Sequence, residues 1–123
     1  MFTAAVLIPT SHARIVKEVR KEMEIPADFE KIAHHFTLHM GRANEIDLLG
    51  SHVTLIANSI AFNDKVIAVG LSEDAFCKTS NKNPHITIAV NRAAGGKPKD
   101  SNDLQDWKPI KPIVLFAVIE ECF

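Results

Sequence analysis

The chain of 123 residues holds only two cysteines, Cys77 and Cys122, far apart and without C-x-x-C spacing. That pattern excludes a disulfide scaffold and a zinc knuckle, and it fits reduced thiols in a cytosol-like compartment. No apolar run is long enough to span a bilayer, "IVLFAVI" near the C-terminus being among the longest. The N-terminal "MFTAAVLIPTSHAR" has no basic residue ahead of its apolar run and no small-residue cleavage pattern. It therefore reads as a first strand and not as a secretory signal. Charge of either sign is not in excess: 14 basic residues face 15 acidic ones, a net of −1. The global basic signature of a nucleic-acid binder is missing. Linkers, low-complexity tracts and solenoid repeats are also missing, so residues 1–123 are expected to form one domain with cytoplasmic placement.

What is present is ordinary in amount and uneven in distribution. Hydrophobic residues make up 46 % and charged residues 24 %, as in soluble globular proteins. Residues 78–111 contain seven basic residues against three acidic ones, hence +4. The remainder has seven against twelve, hence −5. A local cationic surface of this kind suits a small anionic ligand or an RNA end, and equally a solvated lysine-rich loop.

The apolar pattern predicts strand, helix and then several strands. "FTAAVLI" reads as a buried strand closed by Pro9. Ser11 is expected as the N-cap of a helix whose apolar face holds Ile15, Val16, Val19 and Met23, with Pro26 beyond its end. "ADFEKIA" is expected to make one helical turn. "HVTLIANSIAF" and "KVIAVGL" flank Asn63–Asp64 as a hairpin. Residues 72–83 are expected to be loop, "PHITIAVN" a strand, 92–109 a long loop, and "IVLFAVIEE" the last strand. The fold class is α+β, with an antiparallel-rich sheet and few helices.

Chemistry concentrates in "AHHFTLHMG", residues 33–41, which contains three of the six histidines. On a helix His35 and His39 would sit four apart on one face, a spacing used for zinc. On a strand His35, Thr37 and His39 would share a face. Phe36 and Thr37 favour the strand, and the stretch holds no carboxylate to support a metal-bound imidazole. "PHITIAVN" repeats the pattern 50 residues on, so His85 and Thr87 also share a strand face. Two imidazoles across a groove can serve as general base and general acid without metal, and a threonine beside each can donate to a phosphate oxygen. This suits opening a cyclic phosphodiester.

A third copy, His52-Val53-Thr54, lies in what reads as an ordinary hairpin, so His52 is expected to be a half-exposed strand residue. His34 is expected to be structural, His39 second to the site, and His12 a surface residue. Ser101 and Asn102 are placed either to reach a phosphate or ribose or to cap the turn at 103–107. Trp107, the single tryptophan, can stack on a base or anchor the loop.

With these residues in view, the chain resembles the 2H phosphoesterase superfamily, named for two His-x-Thr motifs. "HFTL" and "PHITIAV" fit its signature. Within it, "NKNPHITIAVNRAAGGKPKDSNDL" is most similar to the cyclic phosphodiesterase domains of fungal-type tRNA ligases and related RNA-repair proteins. The resemblance spans most of the chain, from Phe2 to Glu120. It implies a bilobal fold with antiparallel-rich sheets around a central groove. It also implies an enzyme, a metal-independent phosphoric diester hydrolase without cofactor, with His35 and His85 as the acid–base pair. Thr37 and Thr87 would bind phosphate oxygens, with Ser101 and Asn102 as further substrate contacts. The implied partner is an RNA 3′ end or a cyclic nucleotide phosphate, in RNA repair or processing. Two alternatives stand beside it: a phosphodiesterase on a signalling nucleotide, such as a cyclic dinucleotide or 2′,5′-oligoadenylate, and a non-catalytic RNA- or nucleotide-binding module.

Overall fold

The computed structural model describes residues 2–32, 35–40, 50–72 and 84–122, with side chains described for 4–32, 50–72 and 84–120. Strand β1 (Phe2–Leu7) leads into helix α1 (Pro9–Glu22). The two-residue β2 (Glu30–Lys31) and β3 (His35–Met40) follow. β4 (His52–Phe62) and β5 (Val66–Leu71) form the expected hairpin. β6 (His85–Val90) precedes two 3-10 segments, Arg92–Ala94 and Pro98–Asp103, and the chain continues into β7 (Lys108–Cys122). The segment 73–83, expected to be loop, lies outside the described residues.

The helix starts three residues earlier than its sequence suggests. Pro9 occupies the first turn, where its missing N–H costs nothing, and Ile8 is the cap without any side-chain bond. Ser11 is therefore not the N-cap. It lies buried in the first turn, and its Oγ accepts the Phe116 N–H at 2.9 Å, fastening the helix to β7. Ser11, Ile15 and Val19, spaced by four, make the buried stripe. Full burial of Ile15 and Val19 contributes about 1.5–3 kcal/mol each. Arg20 and Lys21 sit in the last turn, where cations oppose the dipole's negative end. "ADFEKIA" does not form a helical turn. Phe29 N–H closes a tight turn on Pro26 C=O at 3.0 Å, and the chain then extends into β2.

The seven described strands belong to one sheet, in the order β2-β6-β5-β4-β7-β1-β3. Every described neighbour pair is antiparallel. The hairpin turn is held by Asn63, whose Oδ1 accepts the N–H groups of Lys65 (2.8 Å) and Val66 (3.0 Å). β7 is longer than its apolar run because it begins at Lys108 and contains Pro109 and Pro112. Prolines are tolerated there because β1 pairs only with residues 117–122, so that end of β7 has a single neighbour. The pairing with β4 is irregular over the same stretch, between Ala57 and Ser59.

One face of the sheet carries the main core: Ala5 and Leu7 of β1, Val53 and Leu55 of β4, Ile67 and Val69 of β5, and Leu115 and Ala117 of β7, packed with Ile15 and Val19 of α1. β5 is buried along its whole length. Its other face is covered by a smaller cluster in which Leu104 and Trp107, from the long connection after β6, pack on Val66 and Ala68. That connection is therefore a structured flap with two 3-10 segments.

Candidate functional site

Residues 35–40 form a strand, so the helical arrangement of His35 and His39 does not exist. The pairing of β3 with β1 sets position 35 opposite Val6 and position 37 opposite Ala4, then slips by one residue, so position 39 falls opposite Thr3. Ala5 and Leu7 of β1 face the α1 core, whereas Ala4 and Val6 belong to the other face. The pairing therefore shifts by one residue between positions 37 and 39.

The register partners of positions 35 and 37 can be followed across the sheet. Val6 pairs with Val118, and Val118 with His52. Beyond the β4 irregularity Ser59 pairs with Gly70 and Ala61 with Ala68. These two residues of β5 in turn pair with His85 and Thr87. His85 and Thr87 therefore lie on the face away from the α1 core. Four strands separate β6 from β3 in the sheet, yet the curl of the sheet brings Cα atoms of β3 within 8 Å of those of β6. The two motif-bearing strands are neighbours in space although not in hydrogen bonding.

His85 is 9 % exposed, its ring centroid 6.4 Å from that of Trp107 at a tilt of 36°. Trp107 packs beside Gly70: a Cβ on Gly70 would stand 3.3 Å from the indole and 2.2 Å from Ser59 Oγ. A side chain at this position would press on the indole beside His85 and displace the Ser59 hydroxyl. Thr87 is half-buried, and its Oγ1 lies 2.9 Å from Ser101 Oγ and 3.3 Å from the Pro98 carbonyl. Ser101 is 1 % exposed and stands behind Thr87, while Asn102 beside it is exposed. The flap thus contacts both motif residues of β6, through Trp107 for His85 and through Pro98 and Ser101 for Thr87. The sequence signal for this coupling was the "SN" and "W" of the polar connection, whose partners could not be read without the fold.

Other expectations are met or corrected residue by residue. His52 and Thr54 are exposed on β4. His12 is half-buried, and its Nε2–H donates to the Ile32 carbonyl at 3.0 Å, tying α1 to the end of β2. It is not a free surface residue. Of the basic residues in 78–111, Arg92 is held by Glu30 at 2.7 Å, whereas Lys97, Lys99, Lys108 and Lys111 are exposed. Lys78 and Lys82 fall outside the described residues, as does His34, and the side chains of His35, Phe36, Thr37, His39 and Met40 are likewise outside the described set. Among the described residues, no group of three or more His, Cys, Asp or Glu is arranged to hold a metal ion. No helix among them is long and apolar enough to cross a membrane.

The family model of the fungal tRNA ligase phosphodiesterase domain matches residues 11–111, more than four fifths of the chain. The chain belongs to this family. Both His-x-Thr strands and most of the flap lie inside the matched range. No curated protein and no solved structure matches the chain. Membership in the tRNA ligase phosphodiesterase family supports a cyclic phosphodiesterase, a hydrolase of phosphoric diesters, and connects it with RNA ends. The sheet-rich α+β architecture of this family member, curled to bring β3 towards β6, is the scaffold on which that chemistry has to be arranged.

Proposed function

We propose that this protein opens 2′,3′-cyclic phosphates at RNA ends or on nucleotides, in RNA repair or processing in the cytoplasm, by metal-independent acid–base catalysis. In this reading residues 1–123 act as one domain, and the two halves of the sheet, one carrying β3 and the other β6, are the two lobes of a 2H phosphoesterase. His35 and His85 face each other across the seam between them. One imidazole accepts a proton from a water molecule as the water oxygen forms its bond to phosphorus. The other gives its proton to the ribose oxygen as the P–O bond breaks, leaving a phosphomonoester and a hydroxyl. Thr37 and Thr87 donate to the non-bridging oxygens, where negative charge grows in the transition state. Asn102, exposed on the flap, contacts the ribose or phosphate. Ser101 acts from behind, on Thr87.

The observation that supports this reading best is the approach of β3 to β6, the two strands that carry the His-x-Thr motifs. Lysines of the flap, Lys97 and Lys99, flank the Pro98 carbonyl to which Thr87 bonds, and they add positive potential where a phosphate would sit.

The test is a substrate panel incubated with a chelator: 2′,3′-cyclic mononucleotides, RNA oligomers ending in a cyclic phosphate, cyclic dinucleotides and 2′,5′-oligoadenylate. Turnover of the first two groups in the presence of chelator is the expected outcome. Turnover restricted to the signalling nucleotides, or activity that requires added metal, would overturn the proposal, and binding without turnover would identify a recognition module.

A further inference from the structure

A cavity of about 320 Å³ lies on the α1 side of the sheet edge, lined by His12, Ala13, Val16, Lys17, Arg20 and Lys31. Three of these six residues are permanent cations, and none is a carboxylate. The concentration is unexpected, because the chain outside residues 78–111 carries a balance of −5. The carboxylates next in sequence to the pocket's lysines are committed elsewhere: Glu18 to Lys21 at 3.2 Å and Glu30 to Arg92 at 2.7 Å. Those are the ion pairs among the described residues, so Lys17, Arg20 and Lys31 have no anionic protein partner within that set. Lys17 and Arg20 are one helical turn apart on the same side of α1. His12 is fixed by its bond to the Ile32 carbonyl, and Ile32 N–H bonds in turn to Ile88 of β6 at 2.7 Å.

The pocket is mechanically joined to the strand bearing His85 and Thr87. Lys31 pairs with Ala89, two residues along β6 from Thr87. Strand geometry puts the two backbones about 8 Å apart. β2 is only two residues long and is the last strand at that edge, so a single strand can pass round it from one face to the other.

We infer that the His12–Lys17–Arg20–Lys31 pocket binds a backbone phosphate of the RNA strand on the 5′ side of the reacting end. This rests on the proposed function and narrows it: the preferred substrate is a polynucleotide end, engaged at two places, ahead of a free mononucleotide. Cations of this kind neutralise phosphates and release counterions, and the salt dependence of binding counts them.

The experiment uses a 5′-fluorescein single-stranded RNA ten-mer and follows anisotropy across a series of salt concentrations. For the Lys17→Gln/Arg20→Gln double variant we expect about a 10-fold weaker affinity at low salt. The log–log salt slope should become shallower by about 0.7 for one phosphate lost. Lys31→Gln should shift both quantities in the same direction. Lys21→Gln, a cation of the same helix already paired with Glu18, is the control and should leave affinity and slope in place. An unchanged slope in the double variant, or an equal loss in Lys21→Gln, would overturn the inference. Because the readout is binding, a failure here is separable from a failure of the catalytic reading, which turnover of cyclic-phosphate substrates by the unaltered protein decides.

Discussion

Gly95 and Gly96 adjoin each other in the flap and are needed for different reasons, so they make a sharp test of how the flap is held. A Cβ on Gly96 would stand 2.3 Å from the Lys65 carbonyl oxygen, 2.8 Å from the Asn91 oxygen and 3.0 Å from the Asn91 nitrogen. All three are backbone atoms and cannot swing aside. Reaching a tolerable 3.0 Å requires the flap to move off β5 by about 0.7 Å. That motion strains the bonds from Gly96 N–H to Asn91 C=O (2.8 Å) and from Asn91 N–H to Lys65 C=O (2.7 Å). Overpacking costs about 1–3 kcal/mol and loss of one backbone bond about 1 kcal/mol, so Gly96→Ala should destabilise by about 2–4 kcal/mol. For a chain of this size that is a fall in Tm of about 8–16 °C. Gly95 has φ +78° with nothing within 4 Å of a built Cβ, so Gly95→Ala meets only the left-handed backbone penalty of about 1–2 kcal/mol. Asparagine tolerates that conformation, so Gly95→Asn should recover much of the loss, whereas Gly96→Asn should recover none. Urea and thermal melts of the four variants check this. A Gly96→Ala protein within about 0.5 kcal/mol of the original, where unremarkable surface changes fall, would refute the argument, as would rescue by asparagine at position 96.

Two further outcomes concern the catalytic reading. His35→Ala and His85→Ala should each lower the turnover of a 2′,3′-cyclic phosphate by about 10²–10⁴-fold, whereas His52→Ala should turn over as the unaltered protein does. A fully active His85→Ala enzyme would end the two-histidine reading. Ser101 is buried with its hydroxyl on Thr87, so Ser101→Ala should lower kcat/KM about 3- to 10-fold, the value of one such bond. That loss should vanish in a Thr87→Ala background, because the effect passes through Thr87; equal losses in both backgrounds would show Ser101 to be merely structural.

Much of the architecture could be read from local pattern. Alternation in "HVTLIA" fixed the buried and exposed sides of β4, the Asn63 turn followed from side-chain chemistry, and the apolar stripe of Ile15 and Val19 followed from helical spacing. The same logic located the two His-x-Thr strands and the family they point to. It failed where a long-range partner outweighed local preference. Ser11 looks like a cap and instead bonds to Phe116, 105 residues away in sequence. His12 looks like a surface residue and bonds to Ile32. The polar stretch after β6, rich in glycine and proline, reads as open loop, but Leu104 and Trp107 bury it against β5.

The sequence by itself determined the elements, their amphipathic faces and the residue types that phosphodiester chemistry needs, because side-chain periods of 2 and 3.6 and turn propensities act over a few neighbours. Only the tertiary structure decided that β3 and β6 approach each other in space, that Ser11 fastens α1 to β7, and that the flap backs Thr87. Those facts depend on strand register, one-residue irregularities and the curl of a seven-stranded sheet, which are set by contacts between residues far apart in the chain.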